Sequence, residues 1–130
     1  MWRSNTDTLQ SWTRVMVEVE SMANQGHISR PGAWSFPDCL EIGTPGSSSL
    51  TWEESKANLA LFAVTSSPLL LGNDPREGRM QKRLVSLVSN PDMLAVDQYY
   101  STEHAYVFDD RPSHCVRKNS LLWRQLYGVS

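Results

Sequence analysis

Between Pro31 and Gly43 the chain reads PGAWSFPDCLEIG, an order of residues that few backbones can carry. Proline fixes φ and restricts the residue before it, so Pro31 and Pro37 stiffen both ends of a loop. Pro31-Gly32 predicts a tight turn leading to Trp34. After Pro37 come Asp38 and a short apolar run, Cys39-Leu40-Glu41-Ile42, closed by Gly43, so that Asp38 to Ile42 reads as a strand. One indole and one carboxylate therefore stand where an irregular loop meets a buried strand. A stiff loop beside a strand can hold a polar group in one orientation, as a binding site requires. The same stretch also reads as a loop that simply packs Trp34 into a core.

The rest of the chain alternates around that stretch. Trp2-Arg3 reads as a strand end, followed by a polar turn. From Ser11 the period becomes helical: Trp12, Val15, Met16, Val19 and Met22 form one apolar stripe, Glu18 and Glu20 fall off it, and Asn24-Gln25-Gly26 marks its end. Thr44 to Leu50 is a second loop. Thr51-Trp52-Glu53-Glu54 predicts a capping box, and the helix behind it carries Ala57, Ala60, Leu61 and Val64 on one stripe with Leu59, Phe62 and Ala63 beside it. Pro68 to Gly72 is a short apolar run suited to a strand covered on both faces. Met80, Leu84, Leu87 and Val88 make a third helical stripe ended by Asn90-Pro91, and Met93 to Val96 reads as the start of another strand. After Gln98 no steady period remains. Alternating β and α predicts an α/β protein with a parallel sheet, whose chemistry gathers at the carboxyl ends of the strands.

At 130 residues the chain is long enough for one domain. Its formal charge of −2, with Lys and Arg scattered, argues against a nucleic-acid or anionic-membrane surface. No apolar run approaches the roughly 20 residues of a membrane span. No secretory signal is visible at the N-terminus. Cys39 and Cys115 permit one bridge without implying it. His27, His104 and His114 lack metal-ligand spacing, Asp74 reads as a turn residue, and no cofactor motif is present.

Four motifs together resemble a known family. Trp2 to Asp7, WRSNTD, resembles W-R-x-x-x-D. Asn24-Gln25 followed by Pro31 to Gly43 resembles P-G-G-W-N-D-P-D-M-L-x-[IV]-G. Pro68 to Asp74, PLLLGND, resembles A-P-L-[IL]-x-[GS]-N-D. Pro91 to Gln98 resembles a segment ending V-I-A-[VI]-[DN]-Q. In this order, and on the βα rhythm already read, they resemble the later part of the catalytic barrel of melibiase-type α-galactosidases, glycoside hydrolase family 27. The resemblance covers residues 2–98. It implies a partial TIM (β/α)8 barrel of about three βα units, since a closed barrel takes about 250 residues. Residues 1–98 would form the C-terminal portion of that barrel, and residues 99–130 an unmatched tail.

The resemblance further implies a retaining glycosidase acting on α-galactosides, with two carboxyl groups about 5 Å apart. It places the general acid/base on Asp7 and sugar contacts on Arg3, Asp38 and Cys39. It implies no cofactor, a lysosomal, vacuolar or secreted location, and as partner the N-terminal part of the barrel. The family's nucleophile lies on an earlier strand in a K-Y-D motif that this sequence does not contain, so the chain alone is expected to be inactive. An acid role asks for burial of Asp7 that outweighs the nearby guanidinium of Arg3. Taken without the resemblance, Asp7 reads as a turn residue or helix N-cap, and Arg3 as a solvated surface cation. The related α-N-acetylgalactosaminidases, and a non-catalytic sugar-binding remnant, stay open. Ala33, Ser35, Phe36 and Cys39 depart from the family's Gly, Asn, Asp and Met; if the glycine serves a positive φ, Ala33 would cost about 1 kcal/mol.

Overall fold

The computed structural model describes residues 1–7, 11–25, 28–43, 50–72, 81–99, 106–108 and 121–123. Strand β1 (Trp2–Arg3) is followed by helix α1 (Trp12–Gln25), strand β2 (Ser35–Phe36) and helix α2 (Trp52–Val64). Helices α3 (Gln81–Val88) and α4 (Pro91–Gln98) come next, then strands β3 (Tyr106–Phe108) and β4 (Leu121–Trp123). β1 and β2 pair in parallel, Trp2 opposite Ser35 and Arg3 opposite Phe36. A second parallel contact joins Leu40 to Leu71. The fold is therefore α/β, with α1 as the crossover between two parallel strands, the connection that parallel pairing demands. β3 and β4 form a separate antiparallel pair, in a region where the sequence has no readable period.

The core is one cluster of Val15, Leu40, Ile42, Leu50, Leu59, Phe62 and Leu84, with Trp12, Leu87, Val88 and Met93 packed against it. Leu40 and Ile42 are wholly buried, so the run after Pro37 anchors the molecule as its apolar character requires. Trp34 is half-buried and outside that cluster. The ladder itself lies earlier than Asp38–Ile42, at Ser35–Phe36. Beyond Phe36 the Ser4 carbonyl turns to Ser21 and Gln25 of α1 instead of continuing the ladder, and Leu40 pairs with a different segment, its N–H donating to the Leu70 carbonyl at 2.6 Å.

Helix α1 buries Val15, Glu18 and Met22. These lie at i, i+3 and i+7, so the inner face is rotated from the expected stripe and takes in Glu18, while Met16 is half-buried. Glu18 has interaction partners in that setting, as a buried carboxylate must.

Helix α2 begins with the expected capping box. Thr51 Oγ1 accepts from the Glu54 N–H at 3.2 Å, and Glu54 Oε2 accepts from the Thr51 N–H at 2.8 Å. Its most buried side carries Ser55, Asn58, Leu59, Phe62 and Ala63. The expected stripe of Ala57, Ala60, Leu61 and Val64 forms a half-buried flank. Contacts to both α1 and α4 account for so wide an apolar surface. The helix ends in paired bonds, Ser66 N–H to the Ala63 carbonyl at 3.1 Å and Ser67 N–H to the Phe62 carbonyl at 3.0 Å. This is the Schellman arrangement, with Ser66 at φ 49° where glycine is usual.

Met93 to Val96 is helical, not a strand. Asn90 caps α4 by accepting from the N–H groups of Asp92 and Met93 at 3.0 and 3.1 Å, and Pro91 occupies the first turn. Four apolar residues fit either period, and the cap decides. Pro68 to Gly72 is not the continuous strand expected: the Leu70 N–H turns back to the Pro68 carbonyl at 2.9 Å and only Leu71 makes a parallel bridge. Leu70 and Leu71 are 39% and 45% exposed, so the described residues do not cover it on both faces. Residues 44–49, Asp74 and all three histidines lie outside the described residues.

Candidate functional site

The β1–β2 ladder sets the geometry. The Trp2 N–H donates to the Trp34 carbonyl at 3.0 Å, and the Ser4 N–H donates to the Phe36 carbonyl at 2.9 Å. Parallel pairing brings the carboxyl ends of both strands to one edge, so Asp7, after β1, and Asp38, after β2, emerge together. Arg3, inside the ladder, reaches both. Its Nη2 lies 2.8 Å from Asp7 Oδ1, and its Nη1 lies 3.5 Å from Asp38 Oδ2.

The two carboxylates differ in setting. The Asp38 side chain is 19% exposed, and its Oδ1 accepts from the Cys39 N–H at 2.8 Å. One oxygen thus engages the backbone and the other faces Arg3, which fixes the group. The Asp7 side chain is 83% exposed and the Arg3 side chain 41%. Asp7 does not cap α1; Ser11 stands at that position, its Oγ accepting from the Arg14 N–H at 3.4 Å. Arg3 is neither free nor a plain surface pair, because it links residues from two strands.

Cys39 joins the cluster through its backbone N–H. Its side chain lies beside Gly72, where an added Cβ would come within 3.0 Å of the Cys39 Cβ. Phe36 is half-buried and in register with Arg3. Gly32 carries the positive φ of the Pro31 turn at 83°, and Ala33 is not among the positive-φ residues, so the strain expected for Ala33 does not arise. Among the described residues no group of three or more His, Cys, Asp or Glu is placed to hold a metal ion.

The sequence gives no sign of the polar contacts behind the ladder. The Trp2 indole Nε1 donates to Gln25 Oε1 at 2.8 Å, and the Ser4 carbonyl accepts from Ser21 Oγ at 2.8 Å and from Gln25 Nε2 at 3.3 Å. Gln25 reads as part of a helix stop and of a family-like Asn24-Gln25 pair, neither of which names its partners, and a bond across such a separation has no local signature. A cleft lined by Glu18, Met22, Pro37, Asn58 and Phe62 sits between α1 and α2; Arg3, Asp7 and Asp38 do not line it.

Comparison with known proteins bears on this cluster. The melibiase family described as "Alpha galactosidase A" matches residues 1–99. "Alpha-galactosidase 2" of Arabidopsis thaliana is 33% identical over 97 residues, 75% of this chain and 23% of that protein. Human "Alpha-galactosidase A" is 32% identical over 101 residues, 75% of this chain and 22% of the relative. Human "Alpha-N-acetylgalactosaminidase" is 33% identical over 104 residues, 75% and 24% respectively. The chain thus spans under a quarter of the length of these curated relatives.

Proposed function

We propose, from the premise that the chain belongs to the melibiase family of α-galactosidases, that it carries the acid/base half of a retaining glycosidase site for terminal α-D-galactosyl residues. The observation that supports this reading is the reach of Arg3 to Asp7 and Asp38 from two adjacent parallel strands. Asp7 serves as the general acid, giving its proton to the glycosidic oxygen as the aglycone leaves, and then as the base that takes a proton from water. Arg3 donates to sugar hydroxyls. Asp38, held by the Cys39 N–H, offers a fixed acceptor, and Cys39 borders the same pocket.

Retention needs a second carboxylate about 5 Å from the first to form the glycosyl-enzyme. With no K-Y-D motif in this sequence, that group comes from barrel strands outside this chain. The same strands supply the desolvation of Asp7, which stands 83% exposed here. The chain by itself is therefore inactive. Mixed with a fragment bearing the missing strands, it is expected to hydrolyse a nitrophenyl α-galactoside, and Asp7→Asn is expected to abolish that turnover. No turnover from the mixture, or turnover that survives Asp7→Asn, removes the reading.

A second reading, the α-N-acetylgalactosaminidase activity, is favoured by the equal 33% identity to relatives of both names. Replacing the substrate with the corresponding N-acetyl-α-galactosaminide in the same assay separates the two. The exposure of Asp7 favours a third, binding of sugar without chemistry, for which the chain alone would bind galactose and the mixture would show no turnover.

A further inference from the structure

The residues on either side of Arg3 are both held by the last turns of α1. Gln25 accepts from the Trp2 indole at 2.8 Å and donates to the Ser4 carbonyl at 3.3 Å. Ser21, one turn earlier, donates to the same carbonyl at 2.8 Å. On the opposite side, the N–H groups of Trp2 and Ser4 bond to β2. A two-residue strand has too few ladder bonds to hold its own register against slippage. Here the segment is clamped from two directions, and Arg3 is the residue between the clamps. A primary amide can both accept and donate at its tip without carrying charge. A carboxylate in place of Gln25 keeps the acceptor and loses the donor, and an alkyl group loses both.

We infer that Gln25, backed by Ser21, is the positioning residue of the Arg3, Asp7 and Asp38 cluster. Its own hydrogen bonds go to Trp2 and Ser4, yet it fixes where the Arg3 guanidinium stands. Its consequence for turnover rests on the glycosidase reading; its consequence for Arg3 does not.

The full chain, 15N-labelled, tests this through the Arg3 Nε–H resonance. Gln25→Leu is expected to shift or broaden that signal together with the Trp2 indole N–H. Leu84→Ala, which loosens the core at α3, is the control for general destabilisation and is expected to leave the Arg3 signal in place. Gln25→Glu is expected to keep the Trp2 signal and still shift that of Arg3. An unmoved Arg3 resonance in Gln25→Leu overturns the inference, and so does equal movement in Leu84→Ala. If Gln25→Leu does not fold, Ser21→Ala gives the same readout: a shift at Arg3 supports the inference and none overturns it. Galactose added to the unsubstituted chain tests the sugar reading separately. A silent titration counts against binding of sugar by the chain alone, and absence of turnover from the mixture counts against the glycosidase reading. Either leaves the placement of Arg3 by Gln25 standing or falling on the variants.

Discussion

Arg3 shares one guanidinium between carboxylates of very different exposure, 83% for Asp7 and 19% for Asp38. Exposed ion pairs are worth about 0–1 kcal/mol, because water competes for both partners and two long side chains lose freedom. Arg3→Ala should therefore change unfolding free energy by less than about 1 kcal/mol in urea, while under the proposed glycosidase function galactose affinity in the mixture with the missing strands should fall at least about tenfold, the weight of one charge-assisted hydrogen bond. Matching losses in both measurements would make Arg3 a structural residue. At this scale the sequence is legible where a residue's neighbours along the chain define it. Arg3, Asp7 and Asp38 stand out only because they fall within short stretches that resemble the family's motifs. The contacts of Gln25 stay hidden, since Trp2 and Ser4 reach it only after β1 has docked on α1.

Among the elements, ends matter more than middles. The Thr51–Glu54 box is readable because all its parts lie within four residues, and the structure contains both of its bonds. The end of α2 has no such cue, because serine sits where glycine ordinarily signals the stop. Ser66 holds φ 49°, a region that costs an L-residue about 1 kcal/mol relative to glycine. Ser66→Gly should accordingly raise stability by roughly 0.5–1 kcal/mol, measured by urea denaturation. A neutral or destabilising result would mean that the Ser66 side chain earns its place through its own contacts. α4 shows the limit of periodicity. Met93 to Val96 is too short to separate a strand from a helix turn, and the Asn90 cap with Pro91 settles it. α1 shows another limit: its buried face includes Glu18, a choice made by packing that hydropathy alone does not reveal.

For the molecule as a whole, the segment Pro68–Gly72 leaves Leu70 and Leu71 at 39% and 45% exposure, and Val85 and Ile28 add 57% and 43%. Adjacent exposed leucines beside a parallel bridge invite association with another chain. The isolated protein is expected to sediment as oligomers or to be poorly soluble, and to shift toward monomer when a fragment with the remaining strands is added. A monomer with one sharp, two-state thermal transition would contradict this and would mean that the described core suffices. The α/β class is legible from the sequence because it rests on the alternation of apolar runs and helical stripes. The β3–β4 pair is not, as nothing periodic marks Tyr106–Phe108 or Leu121–Trp123.

Both parallel contacts bridge distant points of the chain, Trp2 with Ser35 and Leu40 with Leu71. Each encloses a helix, and non-local closures of this kind are slow beside local helix formation. During synthesis the helices therefore have time to form first, and the edge that carries Arg3, Asp7 and Asp38 is assembled late.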